Sequence, residues 1–251
     1  MAKLSIIVLQ YNKSDLTLAC LESLRALDAN IIVVDNHSEV EHVKTVEYWI
    51  ESRKITNYEL LITNENLGYS GGNNIGIKYA LEHGAEYVLI LNNDTVVEPD
   101  FLERMLEVQA DIVGVEEGIV FGFYYLSGVA LLIRRDAFAK IGLFDERYFL
   151  YYEDVEYSRR AQKAGLKLAT SSAKLLHATS STSSSLGPAT LLYYHTRNAL
   201  LLRNFRLPIG KFWNKLKQHI KIAFGRDVEI SKAILQAIQD YDHHRFGMRV
   251  Q

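Results

Sequence analysis

The sequence predicts an α/β fold with a mostly parallel central sheet and helices on both of its faces. Between residues 4 and 91, short apolar runs alternate with stretches in which apolar residues recur at helical spacing, the pattern of parallel βαβ units. One run, Tyr87–Leu91, is apolar without interruption and fits a central strand buried on both faces. Polar residues follow three of the runs directly, as expected where parallel strands end at a ligand-binding edge.

The first part of the chain divides into predicted strands and helices that alternate. The strands are Leu4–Leu9, Ile31–Val34, Tyr58–Thr63 and Tyr87–Leu91. Ser14 is the expected N-cap of the first helix. The apolar stripes of the first two helices are Leu16, Cys20, Leu24 and Leu27, then Val40, Val43, Val46 and Ile50. Gly68–Gly76 is expected to be a glycine-rich turn that runs into the third helix, which Gly84 ends.

After Asp94 the pattern changes, and we expect a smaller mixed, partly antiparallel region. The strand-like runs Ile112–Val115, Ile119–Phe123 and Val129–Ile133 lie too close together for helical crossovers. Helices are expected to start at Glu98–Asp100, to span Asp136–Ile141 and Asp154–Ala164, and to continue from Leu191 with breaks near Pro208 and Gly225. Ser180–Ser185 is expected to be a mobile loop. This predicts a domain at 1–205, with halves 1–95 and 96–205, and a helical appendage at 206–251.

Composition narrows the function classes. The 251 residues are 48% hydrophobic and 23% charged, ordinary values for a globular protein. The net charge of -2 provides no overall field for nucleic acid, so no nucleic-acid partner is expected. The one cysteine, Cys20, lies in a helical apolar pattern and suits a reducing, cytoplasmic location. The N-terminal apolar run is too short for a signal peptide, and no later run approaches the length of a membrane span.

Three predicted strand ends carry polar residues to the same sheet edge. These are Gln10–Asn12, Asp35–Ser38 and Asn92–Asp94, and the glycine-rich turn is expected beside them, with backbone N–H groups available to phosphate. The dinucleotide fingerprint is absent, because the segment after the first strand reads LQYNKSD, and no Walker-type lysine motif occurs. Asp94 is a candidate ligand for a divalent cation that holds a diphosphate; the alternative is an ordinary turn.

The segment YFLYYEDVEYSRR brings two acids, Glu153 and Asp154, to the start of a predicted helix. They could simply complement the helix dipole. Alternatively, the aromatic residues before them exclude water and set one carboxylate against a hydroxyl as a general base. His177, just before the serine-rich segment, is either structural or a third element of the site, since imidazole is a common metal ligand.

In combination, these segments resemble family 2 of the inverting glycosyltransferases, and its rhamnosyltransferase-like members in particular. The match runs in order over residues 4–206. The segments that carry it are SIIVLQYN, VVDNHSE, ENLGYSGGNNIGI, LILNNDTVVEP, SGVALLIRRDAF, GLFDERYFLYYEDVEYSRRAQKAG and YHTRNALLLRNF, with the isolated His177.

The resemblance implies a Rossmann-like fold of the GT-A type and a nucleotide-diphospho-sugar donor, UDP- or dTDP-linked. It implies single displacement at the anomeric carbon, with rhamnose one candidate sugar. The acceptor would be a glycan or lipid-linked hydroxyl in polysaccharide or glycoconjugate synthesis. The implied cofactor is a divalent cation, Mg²⁺ or Mn²⁺.

The resemblance also assigns roles to residues. Asp35 would recognise the nucleotide base, Asp94 would be the last acid of the D-x-D metal motif, and Asp154 would be the catalytic base, with Glu153 beside it. His177 would contact the metal or the diphosphate, and Arg197, with Asn198, would lie near the donor phosphates. The other donor-binding candidates are Gln10, Tyr11, Asn12, Asn66, Gly72, Asn73, Asn74, Asn92 and Asn93.

Two features depart from the family pattern. The metal motif reads Asn92-Asn93-Asp94 and keeps one carboxylate, a form found among the rhamnosyltransferase-like members. The segment between Asp94 and Ser127, the acceptor side in that family, is short. A non-catalytic sugar-nucleotide-binding module is therefore the alternative. A nucleotidyltransferase would need a basic, glycine-rich loop after the first strand, which Gln10–Ser14 does not supply.

The segment 203–226 is basic and has an apolar side at near-helical spacing. Its cations are Arg203, Arg206, Lys211, Lys215, Lys217, Lys221 and Arg226. One interpretation is a helix lying on an anionic membrane surface, peripheral at the inner face of the cell membrane. The other is packing on the domain or on a second subunit of a homodimer. The sequence leaves both open.

Overall fold

The computed structural model describes residues 4–53, 56–177, 186–203 and 228–249. The strands are β1 (Leu4–Gln10), β2 (Asn30–Asp35), β3 (Tyr58–Ile62), β4 (Tyr87–Asn92), β5 (Thr95–Val97), β6 (Ile112–Gly114), β7 (Glu117–Val120), β8 (Phe123–Leu126), β9 (Ala130–Arg134), β10 (Leu168–Thr170) and β11 (Leu175–His177). The helices are α1 (Ser14–Leu24), α2 (Val40–Ser52), α3 (Gly68–Glu82), α4 (Phe101–Leu106), α5 (Arg135–Ile141), α6 (Glu153–Lys163), α7 (Pro188–Arg203) and α8 (Val228–Asp242).

Seven of the strands form the central sheet, in the order β10-β6-β9-β4-β1-β2-β3. β1 pairs in parallel with both β2 and β4, and β3 pairs in parallel with β2. β9 runs antiparallel to its neighbours β4 and β6. The expected fold class, mostly parallel with a small antiparallel part, is therefore confirmed.

The central strands of the sheet are buried on both faces, as the unbroken apolar runs predicted. Along β1, Ile6 and Val8 pack in one cluster with Leu21 of α1, whereas Ile7 packs in the opposite cluster with Ile77 of α3. Successive residues of a strand point to opposite faces, so a strand covered on both sides needs apolar residues at every position.

The glycines of the segment Gly68–Gly76 predicted a turn. The segment is instead the first part of α3. A Cβ added at Gly72 would lie 2.4 Å from Leu9 Cδ1, and one at Gly76 would lie 2.7 Å from Ile7 Cγ2. The glycines therefore serve close packing of α3 on the sheet, where any side chain would collide.

Other element boundaries also differ from the expectations. Ser14 is the first residue of α1, not its N-cap, and its hydroxyl contacts His42 Nδ1 at 2.9 Å. α4 begins at Phe101 instead of Glu98, whose N–H donates to Lys174 O at 3.2 Å. The run Ile119–Phe123 is divided between β7 and β8 by a hairpin.

Helices α7 and α8 pack against each other, with the Tyr193 hydroxyl donating to Asp240 at 2.6 Å. The serine-rich segment, the proposed domain boundary at 205 and nearly all of the basic segment 203–226 lie outside the described residues. Among the residues described, no helix combines the length and apolar character that crossing a membrane requires.

Gly76→Ala tests the close packing of α3. We expect the substitution to lower the free energy of unfolding by about 1–3 kcal/mol, because the new methyl group has to displace Ile7 and Val34 in a filled core. Urea unfolding would measure it. Gly187→Ala is the matched control, since no atom lies within 4 Å of a Cβ at Gly187 among the described residues. Equal stability of both variants would contradict this account of the glycines.

Candidate active site

A cleft of about 330 Å³ lies at the carboxyl ends of β1, β2 and β4. The sheet pairing brings these three strand ends side by side, as the sequence predicted. Predicted site residues that line the cleft are Tyr11, Asn66, Asn92, Asn93, Asp94, Glu153, Asp154 and His177. The two acidic segments, sixty residues apart in sequence, therefore meet in one cavity.

Asp94 and His177 form one side of the cleft. β5 and β11 pair antiparallel with His177 opposite Thr95, which places His177 Nε2 3.2 Å from Asp94 Oδ1. Asp94 is 7% exposed, and burial raises the pKa of its carboxyl group while His177 opposes the shift. Within the described residues, Oδ1 is buried and has no partner at hydrogen-bond geometry, and the imidazole of His177 lies close to it.

Asp154 also lines the cleft and lies in the first turn of α6. Its Oδ1 accepts a hydrogen bond from Val155 N at 2.8 Å, and its Oδ2 accepts one from Gly128 N at 3.1 Å. These two donors stabilise the ionised form, but desolvation is the larger effect and raises the pKa of Asp154 from 3.8 to about 6. At neutral pH this carboxylate is ionised and is a stronger base than an exposed aspartate.

Glu153 is buried more deeply, at 6% exposure. Burial and then the negative charge of Asp154 raise the pKa of Glu153 well above its ordinary value. Two adjacent carboxyl groups in a dry site do not readily ionise together. Burial and the neighbouring charge thus favour the neutral form of Glu153.

A third residue, Tyr69, braces the Asp154 site. Its hydroxyl donates to Gly128 O at 2.5 Å, while Gly128 N donates to Asp154. Tyr69 N in turn donates to Phe149 O at 2.7 Å. The first turn of α3 is therefore joined to both segments that hold the carboxylate.

The turn before α6 has an uncommon backbone. Tyr151 and Tyr152 are both in the left-handed region, with φ of 69° and 70°. This conformation costs about 1–2 kcal/mol for each non-glycine residue. Tyr151 stacks on His195 of α7 at a centroid distance of 4.6 Å, so tertiary contacts hold the turn.

Three predicted donor contacts lie in α3, and their role in donor binding stays a prediction. Gly72, Asn73 and Asn74 do not line the cleft. Gly72 packs on Leu9, and Asn73 donates to Tyr69 O at 2.9 Å. Asn74 donates to Phe144 O at 3.0 Å and so holds the loop before α6 instead of a ligand.

Gln10, Asn12 and Asp35 also lie behind the cleft lining and not in it. Gln10 and Asp35 are fully buried, and Gln10 Nε2 donates to Asp35 Oδ2 at 2.7 Å. Asn12 Oδ1 accepts from Glu39 N at 2.7 Å. These residues shape the strand ends, and the position next to Asp35 is the one that reaches the cleft.

That neighbouring residue, Asn36, belongs to the predicted strand-end segment Asp35–Ser38 but was not singled out as a site residue. Its Nδ2 donates to Asn66 Oδ1 at 2.9 Å and its Oδ1 accepts from Leu67 N at 2.9 Å. Also missed was the apolar wall of Phe149, Leu150 and Tyr151, although the aromatic approach to Glu153 was noted in the sequence. The sequence feature that could have identified Asn36 is its position directly after a buried strand, one residue after Asp35.

The predicted role of Arg197 near the donor phosphates stays a prediction. The guanidinium group is fully buried and lies away from the cleft lining, with Nη1 donating to Gly247 O at 2.7 Å. The guanidinium group also donates to Arg147 O at 3.2 Å and lies beside the rings of Tyr193 and Tyr194.

Among the described residues, the one group of three metal-type ligands within mutual reach is Glu39, Glu41 and His42. It lies at the start of α2, where both glutamates are exposed, and it does not include Asp94 or His177. Exposed acidic groups of this kind are common without an ion.

The sequence matches a model of the family described as Glycosyl transferase family 2 over residues 5–142, more than half of the chain. The chain belongs to glycosyl transferase family 2. This confirms the family resemblance drawn from the motifs.

Two curated relatives extend this family 2 assignment. The chain is 28% identical over 203 residues to the low-salt glycan biosynthesis hexosyltransferase Agl10 of Haloferax volcanii, a match covering 66% of this chain and 63% of the relative. It is 23% identical over 232 residues to the dTDP-rhamnosyl transferase RfbF of Shigella flexneri, covering 76% of each. The chain is thus similar to hexosyltransferases and rhamnosyltransferases of this family, and the first match spans less than two thirds of its relative.

A solved structure confirms the fold. The mannosyltransferase PcManGT from Pyrobaculum calidifontis, in complex with GDP-Man and Mn²⁺, matches with a TM-score of 0.60 at 16% identity, over 96% of this chain and 75% of that one. The family 2 chain therefore has the GT-A fold that its sequence resembled.

The titration of Asp154 in this family 2 protein predicts a pH-dependent stability difference. Because its folded pKa, about 6, exceeds 3.8, the unfolded state releases its proton first as pH rises. Asp154 therefore lowers stability progressively between pH 4 and 6 and by a constant amount above that range. As pH rises from 4 to 7.5, the free energy of unfolding of Asp154→Asn should therefore increase by roughly 1–3 kcal/mol relative to that of wild type.

Urea unfolding at both pH values measures this gain. Asp136→Asn, the same substitution at a side chain that is 86% exposed, is the control. A difference between Asp154→Asn and wild type that does not change with pH would mean that Asp154 titrates normally.

Proposed function

We propose that the protein is an inverting glycosyltransferase, which moves a sugar from a nucleoside-diphosphate donor to an acceptor hydroxyl by one displacement. The observation that carries this proposal is the shared cleft. Asp94 and Asp154 line one cavity from different elements, and their environments differ. A one-step inversion needs a base on one side of the sugar and charge neutralisation at the leaving group on the other.

The residues on the Asp94 side fit a divalent cation. Asp94 offers a buried oxygen whose close polar neighbour among the described residues is His177 Nε2. Mg²⁺ and Mn²⁺ are held in many enzymes by one or two protein ligands together with substrate phosphates. Asp94 and His177 would hold the cation, which would neutralise charge on the diphosphate leaving group. Asn93 does not add a carboxylate, and its Nδ2 donates to Thr17 at 2.9 Å.

Asp154 is the better candidate for the base. It is ionised at neutral pH with a raised pKa, whereas Glu153 favours its neutral form. Two fixed N–H donors orient the carboxylate, so a free lone pair can accept the proton of an attacking hydroxyl. Glu153, in its neutral form, would exclude water from the Asp154 carboxylate and limit the negative charge of the pair.

For the substrates, we propose a UDP- or dTDP-linked donor, with rhamnose favoured by the similarity to the Shigella flexneri relative. The acceptor proposed is a glycan or a lipid-linked glycan. The apolar wall of Phe149, Leu150 and Tyr151 suits the face of a sugar ring, because ring carbons pack on apolar and aromatic surfaces.

The alternative, a non-catalytic sugar-nucleotide-binding module, is favoured by one observation. The metal motif keeps a single carboxylate, in Asn92-Asn93-Asp94. Both functions bind a nucleotide sugar, so binding alone does not separate them. Transfer or donor hydrolysis by the wild-type protein, with cation present, separates them.

Ligand binding tests the cation site. UDP and dTDP, alone and as sugar conjugates, should raise the thermal midpoint of wild type more in Mg²⁺ or Mn²⁺ than in EDTA, because a ligand of the native state stabilises it according to its affinity. Asp94→Ala should lose the cation-dependent part of that rise. Asp100→Ala is the control, an exposed acid paired with Arg104. Full cation dependence in Asp94→Ala would exclude Asp94 as a ligand.

Transfer kinetics test the base. Asp154→Asn should lower kcat by about 10²–10⁴, while donor affinity changes by less than about threefold. The wild-type rate should fall as pH drops below about 6, where Asp154 becomes protonated. Initial rates across pH and donor titrations measure both. Transfer by Asp154→Asn at the wild-type rate would show that another group takes the proton.

A further inference from the structure

Two consecutive residues of α7, Arg197 and Asn198, are fully buried and both hold the chain that leads to α6. Asn198 Nδ2 donates to Leu150 O at 2.7 Å and to Tyr151 O at 2.8 Å. Arg197 Nη2 donates to Arg147 O at 3.2 Å. Three carbonyl groups of the segment 147–151 are thus held by α7, while those of Tyr148 and Phe149 accept hydrogen bonds from α3.

Arg197 and Asn198 are themselves held in place by further contacts. Asn198 Oδ1 accepts from Arg197 Nε at 3.1 Å, which orients the amide so that its nitrogen faces the two carbonyl groups. Arg197 Nη1 donates to Gly247 O at 2.7 Å, and the rings of Tyr193 and Tyr194 lie 5.3 and 5.2 Å from the guanidinium carbon. A buried arginine surrounded in this way has little freedom to move.

The held segment runs directly into the left-handed turn of Tyr151 and Tyr152. Tyrosine has no intrinsic preference for that conformation, so contacts from elsewhere have to maintain it. Asp154 follows the turn by two residues, and its carboxylate must meet both Gly128 N and the cleft. A change in the turn would rotate the start of α6 and move the carboxylate.

We propose that Arg197 and Asn198 are positioning residues, which clamp the Tyr151–Tyr152 turn and so hold the Asp154 carboxylate in place at the cleft. This proposal rests on Asp154 being the base of the proposed transfer. The clamp itself is a property of the fold and is measurable without turnover.

The proposal differs in its kinetic consequence from a phosphate contact. A group that binds the donor phosphates changes donor KM when it is removed. A group that places the base changes kcat, because small displacements of a reacting group cost rate without weakening binding elsewhere.

Asn198→Ala removes the clamp at its centre. We expect kcat to fall by about ten- to a hundredfold, with donor KM within about threefold of wild type. Amide hydrogen exchange should become faster in peptides covering 147–154, while peptides from β1 and β4 keep their wild-type rates. Asn198→Asp should behave like Asn198→Ala, since it keeps the acceptor for Arg197 but places an oxygen against two carbonyl oxygens.

Thr196→Val is the matched control, a near-isosteric change at the buried neighbouring position of α7. It should keep wild-type kcat and exchange. If Asn198→Ala does not fold, Arg197→Lys replaces it, because lysine keeps the charge but lacks the planar fork that reaches Arg147 O and Gly247 O.

The outcomes are distinct. A raised donor KM at unchanged kcat, or faster exchange spread evenly over the chain, would overturn the proposal. So would wild-type exchange at 147–154 in Asn198→Ala. If wild type turns over no donor, the proposed function fails, and the exchange comparison still decides whether the clamp exists.

Discussion

Parallel pairing of β4, β1 and β2 is the constraint on which the site depends. It brings three carboxyl-terminal strand ends to one edge of the sheet. In the register of these strands, Leu9 lies opposite Asn92 and Gln10 lies opposite Asp35. The glycines of α3 let that helix lie directly on β1 and β2, so that Asn36 and Asn66 meet beside the strand ends. Backbone geometry therefore creates the cavity, and side chains then determine its chemistry.

Two opposing effects set the state of the Asp154 carboxylate. Burial against apolar and aromatic residues favours the neutral acid, whereas N–H groups at the start of α6 and at Gly128 favour the anion. Asp94 shows the same opposition with different partners, since burial raises its pKa and His177 lowers it. For each acid, burial and the nearby donor or cationic groups therefore act in opposite directions on the carboxyl pKa, as is common at functional sites.

The structure could be predicted from the sequence where a local pattern is typical of one structure only. The unbroken run Tyr87–Leu91 predicted a central strand, and the acids at Asp94 and Glu153–Asp154 were correctly expected in one cleft. The sequence was insufficient where the structure depends on distant partners. Glycines in Gly68–Gly76 suit both a phosphate-binding turn and a helix packed tightly on a sheet, and only Ile7 and Leu9 decide between them. The approach of His177 to Asp94 depends on pairing between β5 and β11, two strands of three residues each with little pattern of their own.

Two unfavourable features lie together around the proposed base. Glu153 is buried beside another acid, and Tyr151 and Tyr152 adopt left-handed backbone. Such features persist only where the surrounding structure over-determines them. Here α7 provides that surrounding structure through His195, Arg197 and Asn198, and α8 supports α7 through Asp240. The contacts of the C-terminal helices end on the turn before Asp154. Loosening these helices should therefore affect catalysis before it affects the sheet.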